Sequence, residues 1–140
     1  MVALRHGAFV DTSAWYATVD SADQHHAAAA RQWRQIVRQR RRLMTTNYVA
    51  GETYTLLRVR LGHSLAHEFL RRLRDSTFVQ RVHVPPEWDD EIEAVLRQYA
   101  DQPFSDVDAT SFVTMRRLHL VEAFAFDHHF AIAGFALLAG

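Results

Sequence analysis

Four acidic residues, Asp11, Glu52, Asp108 and Asp127, stand where a soluble chain has little structural reason to put charge. Asp11 directly follows the apolar run Ala8-Phe9-Val10, and Asp127 directly follows Phe124-Ala125-Phe126. Glu52 lies between Val49 and Leu56, at i+3 and i+7 along what reads as the apolar stripe of a helix. Asp108 falls in the first turn of another helix, with Phe112 and Met115 at i+4 and i+7 on the same side. A carboxylate on an inward face is costly unless something pairs with it. Carboxylates gathered together repel unless a cation neutralises them. With hard oxygen donors and no cysteine in the chain, Mg²⁺ or Mn²⁺ is the natural ion. Such a site activates water and stabilises the charge of a phosphate undergoing in-line displacement.

Each acid also has a purely structural reading. Asp11 and Asp127 can cap the helices that follow their strands, and Asp108 completes an S-x-x-D capping box with Ser105. Glu52 is harder to explain in this way, because the chain contains no lysine and an arginine partner must come from elsewhere in the fold. The structural reading needs four separate coincidences. A single cluster needs one.

The elements that would bring the acids together follow from the pattern of apolar residues. Ala8–Val10, 43–46, 78–84, 122–126 and 134–138 read as short buried strands. Between them, helical spacing runs over 23–42 (Ala27, Ala30, Trp33, Val37), from Asn47 as an N-cap to Gly62 (Val49, Leu56, Leu57), and beyond His63 (Leu65, Phe69, Leu70, Leu73). Two more helices follow Pro86 and Ser105. Strands alternating with helices imply an α/β fold with a parallel sheet covered on both faces. Such sheets bind ligands beyond the carboxyl ends of their strands, which is where Asp11 and Asp127 would project.

Composition narrows the chemistry. The 140 residues suit one domain, 49% of them hydrophobic and 23% charged, as in a globular protein. The absence of cysteine excludes disulfides, Cys-ligated zinc, iron–sulfur clusters and thiol nucleophiles. The absence of lysine excludes a Walker A site and a pyridoxal-phosphate Schiff base. No apolar run approaches the ~18 residues of a membrane span. With no signal-peptide pattern at the amino terminus, a cytoplasmic protein without membrane contact is expected. Net charge is zero, but residues 31–74 hold eleven arginines against two acids, a balance of +9, and 75–127 hold a balance of −7. Solvated helix faces explain this as well as a bound polyanion does. On the second reading, Arg38, Arg40, Arg41 and Arg42 are candidate phosphate contacts.

The segments FVDTSAWYA (9–17), TTNYVAGETYTLL (45–57), FSDVDATSFVTMRRLHL (104–120) and EAFAFDHHFAIAGF (122–135) resemble, in order, the PIN-domain ribonucleases, in particular the VapC-type toxins of toxin–antitoxin pairs. The resemblance implies a single PIN domain over 1–140, folded as a three-layer α/β/α sandwich with a mostly parallel central sheet. It further implies Mg²⁺- or Mn²⁺-dependent endonucleolytic cleavage of RNA, a homodimer and a VapB-type antitoxin partner. Its acidic site carries over onto Asp11, Glu52, Asp108 and Asp127, with Asp106 as a neighbouring acid. Thr12 or Ser13 is expected to support the first carboxylate, and Asn47 to help order the site. His25, His26, His128 and His129 read as solvated, although the last two could line a substrate groove. Trp15, Trp33 and Trp88 read as core.

Other folds also place an aspartate after the first strand. A HAD-like phosphatase or a phospho-receiver domain needs a lysine near its acids, and this chain has none. An RNase H-like nuclease puts its first acid in a β-hairpin region, whereas helix-forming sequence follows Asp11. A non-catalytic PIN-fold binding module is the remaining alternative, and the intact acid set counts against it.

Overall fold

The apolar run near the start of the chain forms the middle of a sheet. In the computed structural model, which describes residues 7–138, Ala8–Val10 is strand β1 and is fully buried. It is flanked by β2 (Leu43–Thr46) and β4 (Glu122–Phe124), with β3 (Val79–Val82) and β5 (Ala136–Leu137) at the edges. The order is β3-β2-β1-β4-β5, and every pairing is parallel. Parallel neighbours need crossover connections, and the helices supply them. These are α1 (Thr12–Val19), α2 (His26–Arg38), α3 (Asn47–Leu61), α4 (His63–Asp75), α5 (Asp89–Gln98, after a 3₁₀ turn at Pro86–Trp88), α6 (Asp106–Arg117) and the one-turn α7 (His129–Ile132). Helices on both faces of the sheet make the expected three-layer α/β/α sandwich. The outer limits of a domain over 1–140 lie outside the described residues.

Several boundaries are tighter than periodicity suggests. The helix expected over 23–42 begins at His26, because the Asp23 carboxylate accepts the His25 amide in a turn before it. It stops at Arg38, and Arg40 takes the left-handed conformation (φ 54°) while Arg41 N–H bonds back to the Ile36 carbonyl. Its buried stripe is Ala29 and Ile36, flanked by half-buried Trp33, and Val37 faces solvent. Thr46, not Asn47, caps α3: its hydroxyl accepts the Val49 amide at 3.0 Å. Gly62 separates α3 from α4 with φ +100°, a value that strains any residue bearing a Cβ. In α4, Ala66, Phe69 and Leu73 are buried and Leu65 is exposed. The last three strands are trimmed to Val79–Val82, Glu122–Phe124 and Ala136–Leu137, and α7 follows β4 unannounced by any periodicity.

An aromatic seam locks the acid-bearing half together. Phe112, on the buried face of α6, meets Phe104 and Phe130 edge-on at 5.1 and 5.0 Å between ring centroids, and Phe135 at 5.9 Å. Phe130, from α7, also contacts Phe9 of β1 at 6.0 Å. The seam therefore couples the helix carrying Asp108 to the turn carrying Asp127. Trp15 is buried in the core, and Trp33 and Trp88 pack against it, as expected. Because Phe112 is fully buried, Phe112→Ala is expected to cost about 3–5 kcal/mol, read as a lowered urea midpoint at unchanged slope.

Candidate active site

Parallel pairing puts two acids at one edge of the sheet. Val10 pairs with Phe124, and the Asp11 amide extends the ladder to the Phe124 carbonyl at 3.1 Å. Asp11 is the N-cap of α1 and is almost wholly buried, with Oδ2 accepting from the Ser13 amide (3.3 Å) and hydroxyl (3.0 Å). The same Ser13 Oγ accepts the Phe126 amide at 2.9 Å, tying the end of β1 to the chain leaving β4. Burial, and then the negative charge of Asp127, push the Asp11 carboxyl up from 3.8 to about 7; hydrogen bonds from Ser13 and the Thr12 amide pull it part of the way back.

Asp108 arrives from α6. Its Oδ2 accepts the Ser105 amide at 3.0 Å while its own amide donates to Ser105 Oγ at 3.0 Å, completing the expected capping box. The structural and functional readings of this residue are thus one geometry, for its side chain also joins the acid cluster. Among the described residues, Asp108, Asp127 and His129 offer ligand atoms that all lie within 4.8 Å of one another. Asp127 Oδ1 accepts the His129 amide at 3.0 Å, and His129 Nδ1 lies 2.8 Å from Asp108 Oδ2.

Glu52 departs from its expected setting. The buried face of α3 runs through Val49, Ala50, Thr53 and Leu57, which leaves Glu52 at the solvent border of the stripe and exposed. It still reaches the site's margin, because Thr12 Oγ1 donates to Glu52 Oε1 at 2.6 Å and accepts from Thr53 Oγ1 at 3.3 Å. Ser13 and Thr12 thus each hold one acid, Asp11 and Glu52 respectively. Asn47 does something else: its Oδ1 accepts the Val84 amide at 3.0 Å and anchors the chain beyond β3 to the start of α3. Asp106 is exposed in the first turn of α6.

The arginine cluster lies at the wrong edge to line this crevice. Arg40, Arg41 and Arg42 immediately precede β2, and a chain about to enter a parallel strand stands at the amino edge of the sheet. Arg41 is buried there, donating to Glu122 at the first residue of β4 and to the Gly7 carbonyl. Arg38, Arg40 and Arg42 are exposed at the same end. A separate apolar groove of about 700 Å³, lined by Trp15, Trp33, Leu65, Phe69 and Phe78, holds none of the four acids.

His129 is not a solvated histidine. It lies half-buried within the cluster, its ring edge-on to Phe104 at 5.2 Å. His25 also has company, stacked on Phe126 at 4.5 Å and 8°, and His26 Nδ1 is 2.8 Å from the Ala17 carbonyl. The signal available for His129 was its place two residues after a strand-end aspartate.

The family model of the PIN domain matches residues 8–136. The chain belongs to the PIN domain family. Within that family it is of the VapC type. The 23S rRNA-specific endonuclease VapC20 of Mycobacterium tuberculosis, in strains CDC 1551 / Oshkosh and H37Rv alike, is 39% identical over 127 residues, 91% of this chain and 94% of the relative. The crystal structure of Mycobacterium tuberculosis VapC20, described as a sarcin-ricin loop cleaving toxin, aligns with a TM-score of 0.83 at 38% identity. That alignment covers 91% of this chain and 95% of the other. The VapC-type resemblance carried by the four sequence segments holds. No helix among the described residues is long and apolar enough to cross a membrane.

The buried Asp11 of this PIN domain gives a pH signature to the metal-free protein. Unfolded, the carboxyl titrates near 3.8; folded, near 7. Between these values the folded state holds the extra proton, so stability falls as pH rises from about 4 to about 7 and levels off above. Asp11→Asn removes that dependence. Urea melts in EDTA at pH 5 and pH 8 should show the wild type losing stability relative to the variant; parallel behaviour counts against the shift.

Proposed function

We propose that this VapC-type PIN domain is a divalent-metal-dependent endoribonuclease, the toxin of a toxin–antitoxin pair. The observation that carries the reading is the meeting of Asp11 and Asp127 at the carboxyl edge of β1 and β4, with Asp108 beside them. Like charges with little solvent around them favour a bound cation, and an all-carboxylate oxygen set suits Mg²⁺ or Mn²⁺. The donor chemistry of the site therefore fits the ion that the family implies. Asp11, Asp108 and Asp127 would hold it, with Glu52 completing the acidic site from the α3 side.

A bound divalent cation supplies Lewis acidity and positive charge opposite the phosphodiester. The protein's own groups fix where that chemistry happens. Ser13 orients Asp11 and ties β1 to the exit of β4. Thr12 holds Glu52 at the margin of the site. The Ser105 and His129 amides hold one oxygen each of Asp108 and Asp127. The outcome is hydrolysis: water adds across one phosphodiester bond and leaves two RNA ends.

The substrate proposed is structured ribosomal RNA, on the strength of 39% identity to a 23S rRNA-specific endonuclease across almost the whole of both chains. A homodimer and a cognate VapB-type antitoxin belong to the same proposal. Cleavage is read by primer extension on purified ribosomes and on a sarcin–ricin stem-loop. Asp11→Asn and Asp127→Asn are expected to reduce cleavage to background, as EDTA does to the wild type, with Mn²⁺ restoring only the wild type. Mn²⁺ at a hundred times its dissociation constant should also stabilise the wild type by ~2.7 kcal/mol. Asp127→Asn should gain clearly less. Undiminished cleavage in EDTA overturns the metal mechanism.

A further inference from the structure

His129 is placed unlike any other histidine of the chain: its side chain holds one acid of the site while its main chain holds another. Nδ1 lies 2.8 Å from Asp108 Oδ2, and a carboxylate oxygen only accepts, so the proton of this bond is on Nδ1. The His129 amide donates to Asp127 Oδ1 at 3.0 Å. The imidazole has little freedom to turn, with Phe104 edge-on at 5.2 Å and Phe130, the next residue, sealed in the aromatic seam. On Asp108, the Ser105 amide and His129 Nδ1 converge on the same oxygen, Oδ2. Two donors on one oxygen fix the plane of the carboxylate, and with it the position of Oδ1. The Ser105 bond comes from a residue three positions away on the same helix cap; the His129 bond comes from across the site, 21 residues further along the chain.

We propose that His129 is a positioning residue of the metal site: its Nδ1–H fixes Asp108 in the orientation that binds the cation, while its main chain fixes Asp127. This rests on the metal-binding reading above and adds to it a residue outside the four acids. Groups that orient metal-ligating carboxylates typically carry 10–100-fold in metal affinity. An arrangement in which the imidazole nitrogen itself binds the ion is the rival, and the two are separable.

The test is Mn²⁺ affinity, measured without RNA from the electron paramagnetic resonance signal of free Mn²⁺. His129→Phe keeps an aromatic ring against Phe104 and removes the donor, and should weaken Mn²⁺ binding about 10–100-fold. His129→Asn places an amide N–H where Nδ1 was, and should stay within about threefold of the wild type. His129→Gln moves its amide to the position of Nε2 and should fall with the phenylalanine variant; it carries the comparison if that variant does not fold. Metal-free melts establish folding for each. Wild-type affinity in both His129→Phe and His129→Gln overturns the proposal, as does an asparagine variant as weak as they are. Electron spin echo modulation from an imidazole ¹⁴N on Mn²⁺ bound to the wild type, lost in His129→Asn, overturns it in favour of direct ligation. A wild type that binds no Mn²⁺ is a different failure, and it removes the metal reading itself.

Discussion

Parallel pairing between two strands far apart in the chain is the constraint on which everything else depends. β1 and β4 are separated by more than a hundred residues, yet they lie side by side in the middle of the sheet and end at the same edge. An antiparallel pairing would have sent Asp11 and Asp127 to opposite ends. The sheet thus brings two carboxylates together where backbone geometry leaves them no room to separate, and Asp127's charge lifts the Asp11 carboxyl even against the pull of Ser13. That repulsion is a cost carried by the metal-free fold. The aromatic seam from Phe9 through Phe130 and Phe112 to Phe104 lies beneath the same residues and offsets it.

Features written in local sequence were legible without a structure. The strand cores, the acids at the ends of β1 and near the end of β4, and the Ser105–Asp108 capping box depend on neighbours within a few positions, and all appear where spacing puts them. Glu52 was placed on a buried face because i+3 and i+7 positions share a stripe, but a step of three residues is 300° on a helix, 60° short of a turn. That offset carries Glu52 to the solvent border, where Thr12, 40 positions away, gives it a partner. No periodicity contains that contact. His129 escaped notice for the same reason, since what distinguishes it is Asp108 on another helix.

The arginine cluster failed for a different reason. A charge balance of +9 over 31–74 says how much positive charge there is but not at which end of the sheet it falls. The topology did contain the answer. Residues just before a parallel strand stand at its amino edge and residues just after it at its carboxyl edge, so Arg40–Arg42 before β2 and Asp11 after β1 are separated by the length of the sheet. Arg41's bond to Glu122, the first residue of β4, marks that opposite edge.

The apparent contest between capping and catalysis at these acids dissolves once the bonds are assigned. Asp11 caps α1, Asp108 closes the box at the start of α6, and Asp127 accepts the first amide of α7; each does so through a named oxygen. A helix N-terminus carries partial positive charge, so α1 and α6 each place a favourable end beside a carboxylate that the site would otherwise make costly. Capping therefore lowers the cost of gathering the acids and fixes their orientation in the same bond. It cannot complete the task, because a capped carboxylate keeps its negative charge, and Asp11 still responds by holding its proton to about 7. What remains uncompensated after the caps are counted is net negative charge on closely spaced oxygens. A divalent cation is the species that removes it, and this is why the same residues can look structural one at a time and chemical together.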